Sequence, residues 1–220
     1  MNHFPLLPFS LFLLLDFLGV FAGALGGGLE AMRNEKYDYD FVGVLGLAMT
    51  SALGGGITRD VLLQNGPPLA FLDVRYLPTA LAGALIALTL RGHIGPRTRK
   101  AIIWIDAAAV GFFAVAGSTR AIDAKMAVLP AVILGAITAV GGGALRDVLS
   151  GRTPRVFESG QPYAIAAVFA SAVFLLGNSL GLARTTSTTL GLIAGGGVRA
   201  LALRFNLKTQ SMRDNVPSGF

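Results

Sequence analysis

The sequence predicts an all-α integral membrane protein with seven transmembrane helices, arranged as an inverted three-plus-three repeat followed by one C-terminal helix. Three observations lead to this fold class. First, 53% of the 220 residues are hydrophobic and only 14% are charged, which lies outside the range of ordinary soluble domains. Second, the apolar residues are gathered in seven long runs. Third, a nine-residue motif occurs twice, which indicates two copies of one unit.

The first apolar run covers residues 4–29 and carries a single charge, Asp16. It lacks the basic n-region of a signal peptide, so it is predicted to be a retained first helix. The six further runs lie near residues 40–63, 76–90, 101–119, 126–149, 162–183 and 186–204. A crossing takes about 20 residues, so the run at 76–90 is short and must be extended by its flanking residues or sit beside a thinned region of the bilayer.

The repeated motif reads GGGITRDVL at residues 54–62 and GGGALRDVL at residues 141–149, with seven of nine positions identical. Flanking residues match at the same spacing, as Tyr76 does with Tyr163. The duplication predicts a first three-helix unit at 1–95, a second at 96–183, a seventh helix at 184–205 and a disordered cytoplasmic tail at 206–220. Because each unit crosses the membrane an odd number of times, the second copy runs in the opposite direction and the halves form an inverted repeat.

Basic residues set the predicted orientation. Thirteen Lys and Arg residues fall on the side of the predicted C-terminus and five on the side of the N-terminus. By the positive-inside rule, the C-terminus is cytoplasmic and the N-terminus lies outside.

Three consecutive glycines inside a membrane helix weaken it, and hydrocarbon satisfies no exposed backbone group. The repeated glycine runs are therefore expected to interrupt their helices and to present carbonyl oxygens, which can replace part of a cation's hydration shell. The predicted pore residues are Gly54, Gly55, Gly56, Gly141, Gly142 and Gly143. The alternative is that small residues simply allow close helix packing, since GGG also occurs at residues 26–28 and 195–197.

An arginine and an aspartate follow each glycine run, Arg59 with Asp60 and Arg146 with Asp147. Neighbours at i and i+1 do not face each other on a helix, so a bridge within each pair is not expected. In an inverted repeat the natural partners are crossed, Arg59 with Asp147 and Asp60 with Arg146. The other interpretation is that these are interface charges that snorkel to water. In both cases they are predicted to rim the mouths of a pore.

Further polar residues lie inside the apolar runs. Asp16 and Asp106 occupy corresponding places in the opening turns of the first and fourth helices; they either attract cations or are stabilised by a helix N-terminus. Three hydroxyl residues, Ser51, Thr58 and Thr138, either line the same path or bond back to the preceding helical turn.

Several classes of function are disfavoured. The chain has no cysteine and only two separated histidines, so no thiolate or histidine metal site is predicted, and transient potassium is the only metal expected. The basic residues are scattered between apolar runs, which argues against nucleic-acid binding. The glycine motifs lack the Lys-Ser/Thr ending of a phosphate-binding loop, and no catalytic motif occurs, so neither an enzyme nor a cofactor is predicted.

With these residues the sequence resembles the prokaryotic branch of the trimeric intracellular cation (TRIC) channel family, formerly catalogued as glycine-transporter or uncharacterised membrane proteins. The resemblance covers about residues 10–204 and rests on the duplicated GGGxxRD motif and the helix count. It implies a homotrimer in the prokaryotic cell membrane with one pore per subunit, lined by the second and fifth helices kinked at the triple glycines. Potassium and, less selectively, sodium are the implied permeant ions, and membrane lipids are implied partners.

Two functions are open at this point. One is a passive monovalent cation channel with its pore between the two halves. The other is a secondary transporter of a small amino acid such as glycine, because broken helices in inverted repeats also suit a zwitterion. A structural membrane protein, in which every glycine serves packing, is a third class.

Overall fold

The structure, a computed structural model, describes residues 10–34, 36–91, 96–160 and 162–209, with the backbone alone for residues 96–103 and 106. Within these ranges the chain is built from eight helices. They are α1 (Leu11–Ala31), α2 (Phe41–Leu63), α3 (Leu69–Leu72), α4 (Tyr76–Thr89), α5 (Pro96–Asp123), α6 (Val128–Leu149), α7 (Tyr163–Ser179) and α8 (Arg184–Arg204). Seven of them match the seven predicted segments in order, and the single turn α3 is the addition.

Local residues define several helix ends. The Ser10 hydroxyl caps α1 by accepting a hydrogen bond from the backbone N–H of Leu13 at 3.3 Å, and the Asp40 carboxylate caps α2 by accepting one from Gly43 at 2.8 Å. Such side chains satisfy donors that lack a partner in the first turn. α5 begins at Pro96, five residues before the predicted start, because proline suits the first turn of a helix.

Among the described residues, three helices, α1, α2 and α6, are long and apolar enough to cross a membrane by length and composition. α4 and α7 are apolar but shorter. With 14 residues, α4 spans about 21 Å, which is less than the hydrocarbon thickness of a typical bilayer. The prediction that residues 76–90 form a short segment is therefore confirmed.

The packing of α1, α2 and α4 recurs in α5, α6 and α7. α1 lies against α2 and α4, and α5 lies in the same way against α6 and α7. Corresponding helices also contact each other across the two units, α1 with α5 and α2 with α6. α8 packs on α7 and α5. The α2–α6 contact is therefore central, and it places the two glycine motifs together.

The predicted disordered tail is described only for residues 206–209. The backbone N–H of Thr209 donates to the carbonyl of Gly160 at 2.7 Å, and the Thr209 hydroxyl oxygen accepts a hydrogen bond from the N–H of Gly160 at 3.0 Å. These residues are thus held against the loop between α6 and α7. Residues 210–220 lie outside the described part of the chain.

Candidate functional site

The two repeated glycine runs meet where α2 crosses α6. A Cβ atom placed on Gly55 would overlap the carbonyl oxygen of Thr138, and one placed on Gly142 would overlap the carbonyl oxygen of Ser51. A Cβ on Gly54 would lie only 3.3 Å from the Cα of Gly142. Since Ser51 and Thr138 occupy matching positions of the repeat, the contact is reciprocal, and the two helices run antiparallel through it.

Both helices continue through their glycines without interruption. The predicted opening of the helices at Gly54–Gly56 and Gly141–Gly143 is therefore wrong for this structure. The absent side chains let two helix backbones touch, and this close packing offsets the intrinsic cost of glycine in a helix. Close packing was the alternative interpretation of the motif, and the described contacts match it.

The third glycine of each run faces away from the crossing. A Cβ on Gly56 would lie 3.7 Å from Nη2 of Arg59, and one on Gly143 would lie 3.8 Å from Nη2 of Arg146. Each of these glycines also lines a small cavity, of about 10 Å³ in the first unit and about 20 Å³ in the second. Such volumes hold about one water molecule each. One small cavity, lined by both apolar and charged residues, thus lies on either side of the glycine crossing.

A buried charged cluster surrounds the cavity of the first unit. Arg59 is 1% exposed; its Nε donates to Oδ1 of Asp60 at 2.8 Å, and its Nη1 donates to Oδ1 of Asp16 at 3.2 Å. The Tyr76 hydroxyl donates to Oδ2 of Asp16 at 2.6 Å, and the backbone N–H of Leu69 donates to Oδ2 of Asp60 at 2.9 Å. With both carboxylates ionised, the cluster carries one excess negative charge.

The residues between α3 and α4 support this cluster from outside. Nε and Nη2 of Arg75 donate to the Asp73 carboxylate at 2.9 and 2.6 Å, and these hydrogen bonds hold the pKa of Asp73 below its usual value. The Arg75 guanidinium carbon lies 5.4 Å from the centre of the Phe17 ring, which in turn packs on Tyr76 at a centroid distance of 4.8 Å. Tyr76 is thereby held in place to donate to Asp16.

The second unit contains a corresponding cluster. Nε and Nη2 of Arg146 donate to Oδ1 of Asp147 at 3.0 and 2.7 Å, and the backbone N–H of Arg155 donates to Oδ2 at 3.2 Å. In both units, then, the aspartate accepts from its neighbouring arginine and from a backbone N–H that follows in the chain. The Arg199 guanidinium carbon lies 5.0 Å from the ring centre of Tyr163, which lines the same cavity as Arg146.

The crossed ion pairs predicted between the units are wrong. Each arginine side chain is long and flexible enough to reach the aspartate that follows it in the sequence, and it donates to that aspartate. The helices are antiparallel and cross at the glycines, so Arg59 and Asp147 diverge by about 13 Å along the helix axes. The snorkelling alternative is also wrong, since all four charged residues are at most 6% exposed. These side chains are buried inside the bundle rather than exposed at its rim.

The two predicted carboxylates, Asp16 and Asp106, lie at different depths in their helices. Asp16 is the sixth residue of α1, is 1% exposed, and bonds Arg59 and Tyr76 rather than a helix N-terminus. The backbone of Asp106 lies well inside α5 rather than in its opening turns, because that helix starts at Pro96. The side chain of Asp106 lies outside the described part of the chain.

The predicted hydroxyls are close to the crossing. Thr58 donates to the carbonyl of Gly54 at 2.8 Å, and Thr138 donates to the carbonyl of Leu134 at 2.7 Å, each one turn back along its own helix. Ser51 is 7% exposed, and a Cβ on Gly27 of α1 would overlap its side chain. Gly27 of α1 therefore serves a contact within the subunit.

A third charged cluster was missed by the sequence analysis. Glu30, in the last turn of α1, is 9% exposed and pairs with Arg33 at 3.5 Å, with Arg152 at 3.1 Å and with Arg155. It ties the end of α1 to the loop between α6 and α7. The spacing of Glu30 and Arg33 is readable as an i,i+3 pair. Nothing in the sequence pairs Glu30 with loop arginines 122 and 125 residues away.

These features define an all-helical membrane protein of two similar three-helix units whose buried charged clusters flank a glycine crossing. The profile of the family described as "Glycine transporter" matches the chain twice, over residues 13–92 and 103–179, so each unit corresponds to one copy. The chain belongs to this family.

Curated relatives are bacterial membrane proteins. The chain is 36% identical over 201 residues to a UPF0126 membrane protein of Deinococcus radiodurans, covering 90% of this chain and 88% of the relative. It is 31% identical over 199 residues to the UPF0126 inner membrane protein YadS of Escherichia coli K12, covering 88% and 92%. The chain is accordingly a multi-pass protein of a bacterial membrane.

Solved structures confirm the resemblance to prokaryotic TRIC channels. A structure reported under "Structural basis for conductance through TRIC cation channels" has a TM-score of 0.81 and 29% identity, covering 92% of this chain and 97% of the other. The TRIC trimeric intracellular cation channel orthologue from Rhodobacter sphaeroides has a TM-score of 0.82 and 29% identity, covering 90% and 100%. These similar proteins are described as channels and membrane proteins.

Proposed function

We propose that the chain forms a monovalent cation channel that conducts potassium and, less selectively, sodium. We place one pore in each subunit of a homotrimer, along the contact between α2 and α6. The observation that carries the proposal is the pair of buried polar clusters on the two sides of one reciprocal glycine crossing. The similarity to solved structures of cation channels, one of them described as trimeric, supports the same function.

The proposed route has three parts. A cation passes the cluster of Asp16, Arg59 and Asp60, where the excess negative charge favours it. It then passes the glycine crossing, and it leaves beside Asp147 and Arg146. Each arginine is bonded to a carboxylate, so no unpaired positive charge of these two residues faces the ion.

The glycine crossing is closed in the described arrangement, so conduction requires α2 and α6 to separate there. The backbone carbonyls of Ser51 and Thr138 now lie against Gly142 and Gly55. When the helices part, these oxygens face the gap and can replace water around a weakly hydrated cation. Glycine at this point thus permits both tight closure and access of the ion to the backbone, and it is where we place the kink of each helix.

We also infer seven crossings, an inverted repeat and an outside N-terminus. The reciprocal, antiparallel contact of α2 with α6 is what a pseudo-two-fold axis in the membrane plane would produce. The asymmetry of Lys and Arg between the two sides supports the orientation. α3, with Phe71 72% exposed, then lies at the membrane surface on the outer side.

Ion flux in proteoliposomes tests the channel against the glycine transporter. Vesicles loaded with potassium and diluted into choline buffer are expected to develop a diffusion potential, seen with a voltage-sensitive dye, without accumulating labelled glycine. The small cavities beside the two clusters suit a cation of about the size of a water molecule. Saturable uptake of glycine that depends on an ion gradient, without a potassium diffusion potential, would show that the chain is a glycine transporter and not a channel.

A further inference from the structure

A separate cavity of about 330 Å³ lies at the end of the bundle where α1 begins, between α1, α3, the end of α5 and the start of α8. This is the size of a small-ligand pocket. Its apolar side includes Leu13, Leu15 and Leu69, which are all at most 6% exposed. Its polar side includes Arg120, Arg184, Thr188 and the carboxylate of Asp123. The cavity therefore offers an apolar surface next to two cations and one carboxylate, with a net positive charge.

Arg120 has an unsatisfied donor in this cavity. Its Nε is buried and has no hydrogen-bond partner among the described residues. Its guanidinium carbon lies 5.7 Å from the ring centre of Phe12, whose ring also neighbours Arg59 at 5.5 Å. The nearby carboxylate of Asp123 is already engaged by Arg184, at 2.7 Å. Because a buried donor without a partner is costly, a ligand that accepts from Arg120 would be stabilised here.

The first turn of α8 adds to the positive potential. Its N-cap residue, Ala183, provides no side-chain cap, so the first N–H groups of the helix have no side-chain acceptor there. Arg184 and Thr188, both in the first turns of α8, line the cavity. A helix N-terminus favours a negative group, which matches the requirement set by Arg120.

We propose that this cavity binds a membrane lipid with an anionic headgroup, with the phosphate on Arg120 and one acyl chain along Leu13, Leu15 and Leu69. The site lies outside the α2–α6 route and does not depend on the channel proposal. A lipid fits better than a soluble anion because much of the lining is apolar. It fits better than residues 1–9 of the same chain, because that segment contains no Asp or Glu to neutralise Arg120.

The test measures the thermal unfolding of the purified full chain in detergent at increasing concentrations of palmitoyl-oleoyl phosphatidylglycerol. Unfolding is monitored by fluorescence. Phosphatidylcholine with the same chains is the lipid control. We expect phosphatidylglycerol to raise the Tm saturably and phosphatidylcholine to have little effect. Arg120→Gln is expected to weaken the apparent affinity about tenfold, as for a lost charge-assisted hydrogen bond.

Lys125→Gln is the matched control, because Lys125 is exposed at the same end of the bundle and does not line the cavity. It removes the same charge and is expected to leave the affinity unchanged. If Arg120→Gln does not fold, Arg120→Lys keeps the charge but loses the guanidinium fork, and it must still weaken binding more than Lys125→Gln does.

Three results would overturn the proposal. Equal effects of Arg120→Gln and Lys125→Gln would mean that only general surface charge attracts the lipid. Equal stabilisation by inorganic phosphate, lost in Arg120→Gln, would make the cavity a site for a small anion. Binding of phosphatidylglycerol only after deletion of residues 1–9 would show that this segment is the occupant.

Discussion

Arg59 is the largest fully buried side chain among the described residues, with a guanidinium group in a residue that is only 1% exposed. The free-energy cost of burying this positive charge is offset by the carboxylates of Asp16 and Asp60. A buried ion pair of this kind adds little net stability, but removing one partner leaves the other charges uncompensated. Buried ionisable groups in a membrane bundle are therefore expected where a polar path is needed.

Arg59→Met is expected to destabilise the protein by about 3–5 kcal/mol, because it leaves Asp16 and Asp60 buried without their cation. Arg184→Met is the control: Arg184 also pairs with one aspartate, but both side chains are nearly half exposed, so the expected cost is below about 1 kcal/mol. Unfolding of both variants in mixed detergent micelles measures the difference. Equal stability of the two variants would contradict a cluster held together by Arg59.

Glu30→Gln is expected to loosen the loop between α6 and α7, because Arg152 and Arg155 lose the charge that holds them to α1. Hydrogen–deuterium exchange should become faster across residues 151–160 while the helices stay protected. Glu158→Gln, a change of an exposed glutamate in the same loop, should leave exchange there unaltered. Unchanged exchange in Glu30→Gln would mean that other contacts fix the loop.

At the residue scale, sequence reasoning found the charged residues but not their partners. It selected Arg59, Asp60 and Asp16 from charge within apolar runs, and the structure brings those three together. It assigned crossed pairs because it treated the i,i+1 relation as a bar to contact, whereas a flexible arginine side chain reaches its neighbour. The Glu30 cluster depends on a loop position that no local pattern reveals.

At the scale of elements, the α2–α6 contact explains why each unit carries its glycine run. Gly55 and Gly142 each face a backbone carbonyl of the other helix, so any larger residue would push the helices apart. A Cβ atom placed on Gly46, in the same α2 helix, would meet no atom of another described element within 4 Å. α2 therefore contains one glycine that the contact with α6 requires, Gly55, and one that no described contact requires, Gly46.

Gly142→Ala is expected to destabilise the protein by about 1–3 kcal/mol, because the new methyl group overlaps the carbonyl of Ser51 and forces the helices apart. Gly46→Ala should instead stabilise by about 0.5–1 kcal/mol, since alanine favours a helix and space is open. Thermal unfolding of the two variants provides the comparison. A Gly142→Ala protein as stable as Gly46→Ala would rule out close contact at the crossing.

Helix positions could be predicted because apolar runs of membrane length are strong signals, and each of the seven segments has a counterpart. Whether the helices open or stay continuous at the glycine runs could not be predicted, because glycine weakens an isolated helix but also allows two helices to touch. Only the partner helix decides between these effects. α3 was missed because a four-residue turn, Leu69–Leu72, leaves no periodic signal.

At the scale of the whole molecule, the duplication organises both the packing and the proposed function. The glycine transporter profile matches residues 13–92 and 103–179 separately, and α1, α2 and α4 repeat their contacts in α5, α6 and α7. The sequence repeat was sufficient to predict this pairing of elements. Assembly of subunits could not be predicted from it, because a small residue such as Gly27 of α1 can contact its own chain or another subunit, and here it contacts Ser51 of its own chain.

Orientation in the membrane can be tested with single cysteines, since the chain contains none. Lys125→Cys is expected to react with a membrane-impermeant maleimide in intact cells, because it lies on the side with few basic residues. Glu158→Cys, exposed at the opposite end, should react only after permeabilisation. The reverse labelling pattern would place the N-terminus inside.

Single-channel recording in planar bilayers under a potassium gradient tests the central claim most directly, with Gly142→Ala and Gly46→Ala alongside. A cation pore at the glycine crossing predicts discrete openings that reverse near the potassium equilibrium potential, altered conductance or open probability in Gly142→Ala, and normal openings in Gly46→Ala. A folded but silent protein, or currents that Gly142→Ala leaves unchanged, would contradict a pore at this crossing.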